Sequence, residues 1–233
     1  MAVIPGRYIK GLNPRPLHSY GAVIGVGTNY FEADLTSLPE MTWEIWVRSD
    51  PSLDFDDPYT AILWHNSDTC LVLAKTGEAA TFKIWASVKG QAQNATALTD
   101  DSALYTSWRL IGLTYSAADD RKCHIYLDGV ELDSAQTQGG AYIEVELPLQ
   151  ITPKMYDSAA FLGQIAELRV SSIARTSAEM LSSYQKGIPI EDDPNVVLHL
   201  GLSEPYTTDS MGLGVTAHGT AIDYKEQFFK STT

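Results

Sequence analysis

Carboxylates, indoles and amides are the side chains in this sequence whose spacing points to chemistry. The stretch "DPSLDFDDPY" puts Asp50, Asp54, Asp56 and Asp57 in one short segment. Carboxylates at that density suit calcium, which takes roughly six to eight oxygen ligands. Asp54, Asp56 and Asp57 are therefore candidate ligands, against the plainer reading of a solvated acidic loop. The spacing is not that of an EF-hand, because the loop glycine and the closing Glu are missing. "EDDP" at Glu191 to Pro194 invites the same comparison more weakly. A sugar site needs a flat aromatic ring for the apolar face of the sugar and amides or carboxylates for its hydroxyls. "LWHNSD" supplies Trp64, His65, Asn66 and Asp68, and Tyr59 and Trp85 are further candidates.

Nucleophilic and phosphate chemistry find less support. There is no Gly-x-Ser-x-Gly elbow to present a nucleophilic serine. "GAVIGVG" and "GLGVTAHG" are glycine-rich but lack the lysine of a phosphate-binding loop, and they read as turns and bulges. None of the five histidines pairs with another at metal-ligand spacing, and His124 reads as a packed or edge residue. Cys70 and Cys123 sit in apolar runs and read as buried thiols, with a single disulfide as the alternative. Asn94-Ala95-Thr96 is a formal glycosylation sequon.

Composition narrows the partners. The 233 residues carry 16 basic and 29 acidic side chains, a net charge of −13. That field repels phosphate backbones, so nucleic acid is excluded as a partner, while cations and basic surfaces are favoured. An apolar fraction of 44% is enough to build a sizeable core. No run is long and apolar enough to insert in a membrane, and the N-terminus lacks the apolar stretch of a signal peptide. The expectation is synthesis in the cytoplasm without export by the usual route.

The elements that must position these side chains are short strands. Trp43, Ile45 and Val47 alternate with Glu44, Trp46 and Arg48, and runs such as "TAILWHN", "CLVLAKT", "TFKIWASVK", "SWRLIGLTYS" and "NVVLHLGL" are separated by turn residues. Trp43, Trp46 and Trp108 belong to such runs and read as core. The pattern is that of an all-β, two-sheet antiparallel sandwich. "RTSAEMLSSYQKG" is the one helix, with Thr176 and Glu179 as a capping box, Met180, Leu181 and Tyr184 as its apolar face, and Gly187 and Pro189 as its stop. In "KCHIYLDGVELDS", Asp128-Gly129 falls between alternating runs, where a two-residue turn needs positive φ at both positions. Asp128 is read as a turn residue and not as a catalytic acid. Residues 1–19 are rich in Pro, Gly and basic side chains without periodicity and read as an extended arm; residues 20–224 form the sandwich and 225–233 a tail.

From Phe31 to Tyr224 the order of segments resembles the laminin-G-like, concanavalin A-like jelly-roll superfamily. The resemblance is carried by "FEADLTSLPEMTWEIWVRSD", by "SWRLIGLTYSAADDRKCHIYLDGVELDS" with its Tyr-x-Asp-Gly hairpin, by "FLGQIAELRVSSIARTSAEM", and by "VVLHLGLSEPYTTDSMGLGVTAHGT". Ala166 stands where the family often has Asp. The resemblance implies a jelly roll but no single function, because the fold hosts hydrolases, lectins, adhesion modules and virion proteins. The glucanases of the superfamily carry Glu-x-Asp-x-x-Glu on one strand. "EADLTS" and "ELDSAQ" lack the final Glu, and "GQIAELRV" offers only Glu167, so a glycan hydrolase is the least supported class.

The expectation is a non-enzymatic structural or interaction module. Similar domains occur on phage capsids and tails, which makes a virion-surface protein the leading expectation. Arg7, Tyr8, Lys10 and Arg15 of the arm would anchor it to capsid or tail chains or to further copies of itself. The sandwich would face outward toward a cell-surface glycan. The alternative is a free, extracellular carbohydrate-binding or adhesion module. No cofactor is implied apart from calcium at the aspartate loop.

Overall fold

Side-chain alternation and a few bulges decide which residues face inward. The computed structural model describes residues 20–24, 30–49, 60–66, 68–75, 82–88, 95–99, 107–132, 141–153, 161, 163–187, 193–201, 214–218 and 223–226. These residues form β1 (Tyr20–Ile24), β2 (Tyr30–Ala33), β3 (Glu40–Ser49), β4 (Thr60–Asn66), β5 (Thr69–Lys75), β6 (Phe82–Ser87), β7 (Ala95–Thr99), β8 (Arg109–Ser116) and β9 (Cys123–Leu127). β10 (Val130–Glu131), β11 (Leu149–Ile151), β12 (Gly163–Ser171), α1 (Ser177–Lys186), β13 (Val196–Leu200), β14 (Val215–His218) and β15 (Asp223–Glu226) follow. One sheet has eight strands in the order β10-β9-β8-β3-β12-β1-β15, with β13 also on β12; the other has seven, β14-β2-β11-β4-β5-β6-β7. All pairings are antiparallel, as the alternation predicts. The basic arm and residues 227–233 lie outside the described residues.

The core fills the space between the sheets. Met41, Trp43, Ile45 and Val47 of β3 meet Phe31, Leu63, Leu71, Leu73, Ile84 and Ile151 of the facing sheet, all buried. Each large side chain contributes about 1.5–3 kcal/mol by leaving water. β12 needs a bulge to join this core. Its register shifts between Ala166 and Leu168, and Glu167 takes φ 45°. The extra residue lets both Ile165 and Leu168 face inward. It also marks a change of neighbour: β1 pairs with residues up to Ile165, and β13 pairs from Leu168 onward.

On the outer face of the eight-stranded sheet, α1 packs over β3, β8, β9 and β12. Thr176 and Glu179 form the reciprocal capping box, and Gly187 ends the helix in the left-handed conformation. The helix buries Met180 and Ser183, while Leu181 is 39% exposed, so the apolar face expected from Met180, Leu181 and Tyr184 is rotated by about one residue. Tyr184 stacks on Trp46 at 5.7 Å, in a cluster with Trp108, Leu110 and Ala166. Trp43 is thus core between the sheets, whereas Trp46 and Trp108 are core beneath the helix.

Two glycines let the helix approach. A Cβ on Gly112 would lie 2.3 Å from Met180 Cε, and one on Gly129 would lie 2.6 Å from Leu181 Cα. Gly129 also has φ 76° and Asp128 φ 53°, the two positive values that the hairpin turn requires. Asp128 does more than turn the chain. Its Oδ1 accepts from the Leu110 N–H at 3.0 Å, and its Oδ2 pairs with Arg109. Burial raises its pKa, and the opposing Arg109 charge does not fully offset this.

Beneath the helix lies a buried charge. Glu44 is fully buried, and its Oε2 accepts from Arg169 Nε at 2.7 Å. Arg169 Nη2 also donates to Ser183 Oγ at 2.5 Å. Arg175 Nε lies 4.0 Å from the same Glu44 oxygen and its Nη2 pairs with Asp193. That guanidinium, with the Asn195 N–H, holds Asp193 down at about 2.

Two expectations follow for stability. Gly129→Ala should destabilise by about 2 kcal/mol or more, from the left-handed φ and the backbone contact together. Gly214→Ala, which meets nothing within 4 Å, should leave the urea midpoint unmoved. Arg169→Met should cost about 3–5 kcal/mol by stranding the Glu44 carboxylate. A loss in urea unfolding as small as that of an exposed arginine would show that Glu44 finds other compensation.

Candidate functional site

The opposite outer face, on the seven-stranded sheet, gathers aromatic and amide side chains. On β4, Leu63 faces the core and Trp64 faces out; on β6, Trp85 stands between the core residues Ile84 and Ala86. Both indoles are partly exposed. Laterally, Trp64 pairs with Gln150 of β11 on one side and Cys70 of β5 on the other. Gln150 pairs in turn with Glu32 of β2, and its Nε2 donates to Glu32 Oε2 at 3.1 Å. Ala61, Cys70 and Val72, small and buried, lie on this face between the two indoles. Among the described residues no helix lies on it.

The expected site residues are not all together. Trp64 and Trp85 share the face. His65 turns inward beside a register shift and packs on Trp43 at 5.8 Å. Its Nδ1–H donates to the Leu147 carbonyl at 2.8 Å. Burial lowers its pKa despite the backbone bonds, so it is a neutral core histidine. Asn66 builds the β4–β5 turn, its Oδ1 accepting from the N–H groups of Asp68 and Thr69 at 2.9 Å each. Asp68 is exposed beside it. Tyr59, the aspartates Asp54, Asp56 and Asp57, and the arm residues Arg7, Tyr8, Lys10 and Arg15 lie outside the described residues. Sequence reasoning missed Glu32 and Gln150. Each is a single polar residue between inward neighbours, Phe31 and Ala33 for one, Leu149 and Ile151 for the other. The alternation was there to read, but a three-residue strand such as β11 is too short to stand out.

Other reactive groups are shut in. Glu167 is fully buried and faces His199 Nε2 at 3.2 Å, so it is not presented to a glycosidic oxygen. Cys70 and Cys123 are buried thiols that form no disulfide, and burial pushes both far up. A cleft of about 200 Å³ runs beside α1, lined by Arg169, Arg175, Glu179, Ser183, Lys186 and Asp193 among others. Its two arginines are engaged by Glu44 and Asp193. Among the described residues no group of three His, Cys, Asp or Glu side chains is placed to hold a metal ion. Nor is any helix there long and apolar enough to cross a membrane.

Residues 26–180 match a laminin-G-type family described as the Concanavalin A-like lectin/glucanases superfamily. The chain belongs to this superfamily. No curated protein matches it. Among solved structures, a candidate carbohydrate binding protein from Bacteroides ovatus superposes with a TM-score of 0.64 at 16% identity, over 92% of this chain and 60% of that one. This chain thus spans about 60% of that protein's length. A heptameric SAP-like pentraxin from Limulus polyphemus gives 0.64 at 10% identity, over 91% and 96% of the two chains. The CBM40 of the IT-sialidase from Ruminococcus gnavus gives 0.50 at 14% identity, over 70% and 96%. At these identities the likeness establishes the lectin/glucanase fold.

One cluster on this lectin-fold chain mimics a catalytic or metal trio. His124 Nδ1 meets Glu131 Oε1 at 2.7 Å, and its Nε2 meets Asp120 Oδ2 at 2.9 Å, with Lys122 Nζ 3.9 Å from the same carboxylate. Each ring nitrogen engages a different carboxylate, so the ring is a clamp between the β8–β9 turn and β10. Burial pulls the His124 pKa down, but the hydrogen bonds to Glu131 and Asp120 outweigh it and the net shift is upward. Asp120 is shifted down; burial opposes this, and the Lys122 N–H and His124 prevail.

A raised folded-state pKa stabilises fully below the unfolded value of about 6.5, and that contribution is lost as pH rises through the folded value. The Asp120 contribution is lost at the other end, as pH falls through its lowered value. The melting-temperature gap between the native chain and His124→Gln should therefore be widest near about pH 5–6 and close toward about pH 9. A gap constant over that range would rule out the clamp.

Proposed function

We propose that this chain is a non-enzymatic glycan-binding module whose ligand lies on the outer face of the seven-stranded sheet. The observation that carries the proposal is the pairing of Trp64, partly exposed, with Gln150 and through it Glu32 on one face. An indole offers the flat apolar surface that a sugar ring's C–H face fits, and the neighbouring amide and carboxylate offer donors and acceptors for hydroxyls. The helix over the middle of the other outer face supports the same choice. Burial of Glu167 and of both thiols supports binding without turnover. Carbohydrate binding in the name of one similar structure is consistent with this role.

A module of this kind works outside a cell or on a surface, where glycans are displayed. Placement on a virion would rest on residues 1–19 and their partners, and calcium dependence on Asp54, Asp56 and Asp57. Glycan recognition through Trp64 needs neither.

Trp64→Ala should weaken binding on a glycan array, then in titration with the best ligand found, by on the order of tenfold or more. Its melting temperature should stay close to that of the native chain, since the side chain faces out. Undiminished binding by the variant would move the site elsewhere.

A further inference from the structure

We propose that the cleft beside α1 binds a small oxyanion, a carboxylate, sulfate or phosphate group, through the Nη1 atoms of Arg169 and Arg175. This site lies on the eight-stranded sheet and is independent of the glycan-binding face proposed on the other sheet.

Unspent donors carry the proposal. Both arginines line the cleft, and each side chain is only 8% exposed. Arg169 spends Nε and Nη2 on Glu44 Oε2, and its Nη2 also donates to Ser183 Oγ. Arg175 gives Nε and Nη2 to Ser171 Oγ at 3.2 and 3.0 Å, and Nη2 to Asp193 as well. Among the described residues nothing bonds Nη1 of either arginine. Neither Nη1 is sealed from solvent, so both open on the cleft. A guanidinium nitrogen this deep needs a partner for its two N–H groups.

The two guanidiniums are neighbours. Arg169 Nε bonds Glu44 Oε2, and Arg175 Nε lies 4.0 Å from the same oxygen. Guanidinium forks match the oxygens of carboxylates and phosphates, and one oxyanion set between two of them can take an N–H from each. The acceptors in the cleft are mostly filled. Asp193 Oδ1 accepts from the Asn195 N–H at 2.9 Å and its Nδ2 at 3.0 Å, and Oδ2 accepts from Arg175. Glu179 Oε2 accepts from the Thr176 N–H and Oγ1 at 2.8 Å each, which leaves Oε1 at an exposed helix position. The remaining capacity is therefore on the donor side, in the two Nη1 groups and the Ser182 hydroxyl, and Lys186 adds positive charge to the lining.

Size and charge set the scale. The cleft of about 200 Å³ is smaller than the roughly 300–1,000 Å³ of pockets for drug-sized ligands. It suits a small acid or one charged group of a larger ligand. The net charge of −13 opposes approach from a distance. Salt screens that field beyond about 8 Å at physiological ionic strength, so the local donors decide binding. The expected affinity is millimolar.

The test is a heteronuclear NMR titration of the full chain with sulfate, inorganic phosphate and glucuronate, beside glucose as the neutral control, at constant ionic strength. The Arg169 and Arg175 side-chain resonances should shift saturably with at least one anion, and the tightest anion identifies the class of oxyanion. Ser182→Glu, which sets a carboxylate on the lining, should weaken that anion on the order of tenfold or more. Ser182→Gln, of the same size without the charge, should stay within about threefold of the native chain. Ser182 is a partly exposed helix position, so both variants should melt close to the native chain. Equal anion affinities in the two variants would overturn the proposal, as would glucose binding as tightly as glucuronate. No saturable shift with any of the anions on the folded native chain would overturn it too. The glycan role of the opposite sheet stands or falls separately, on Trp64→Ala.

Discussion

The Glu44 carboxylate is buried on the outer face of a sheet, a position where an unpaired charge cannot persist. Everything around it is arranged to neutralise it. Arg169, its lateral neighbour on β12, binds its Oε2 and at the same time donates to Ser183 of the helix. Arg175 approaches from the far side and is itself held by Ser171 and Asp193. Among the described residues the second oxygen, Oε1, has no hydrogen-bond partner, so the pairing through Oε2 is all the compensation they provide. One strand, the strand beside it and the only described helix are thus tied at a single acid. The geometry of α1, its approach over Gly112 and Gly129, and the burial of Trp46 under Tyr184 all depend on that tie.

The tie also decides which surface is open. A sandwich has two outer faces, and each is a place where a ligand can sit. α1 occupies the middle of one of them. On the eight-stranded sheet, polar residues are consumed by neutralising one another. On the seven-stranded sheet the large outward residues are Trp64 and Trp85, and the nearest polar pair, Gln150 and Glu32, is bonded only sideways. The same chemical groups, carboxylate and aromatic ring, serve cohesion beneath α1 and are partly exposed on the seven-stranded sheet.

Much of this could be read from the chain. Asp128-Gly129 announces a hairpin because few other pairs accept two positive φ values, and the hairpin is there. The capping box at Thr176 and Glu179 announces a helix start for an equally local reason. Alternation in β3 placed Trp43 and Glu44 on opposite faces. Other features escaped. β7 and β11 are short and their residues, "ATALT" and "LQI", carry no strong periodicity. "GVTAHGTAIDY" reads as one strand but covers β14 and the first two residues of β15. Leu181 was placed on the buried side of the helix, yet Ser183 is there instead, because Arg169 needs its hydroxyl more than the sheet needs another leucine.

The sequence by itself determined the fold class, the hairpin, the helix and its caps, and the acidic net charge of −13. These rest on interactions within a few residues or on sums over the whole chain, and both are written in the order and kind of amino acids. Tertiary structure alone decided that His65 turns inward while Trp64 beside it turns out, that Glu167 is shut against His199, and that Trp64, Trp85, Gln150 and Glu32 share a face. Those outcomes depend on bulges and on register between strands far apart in the chain. A shift of one residue would have sent each side chain to the opposite side.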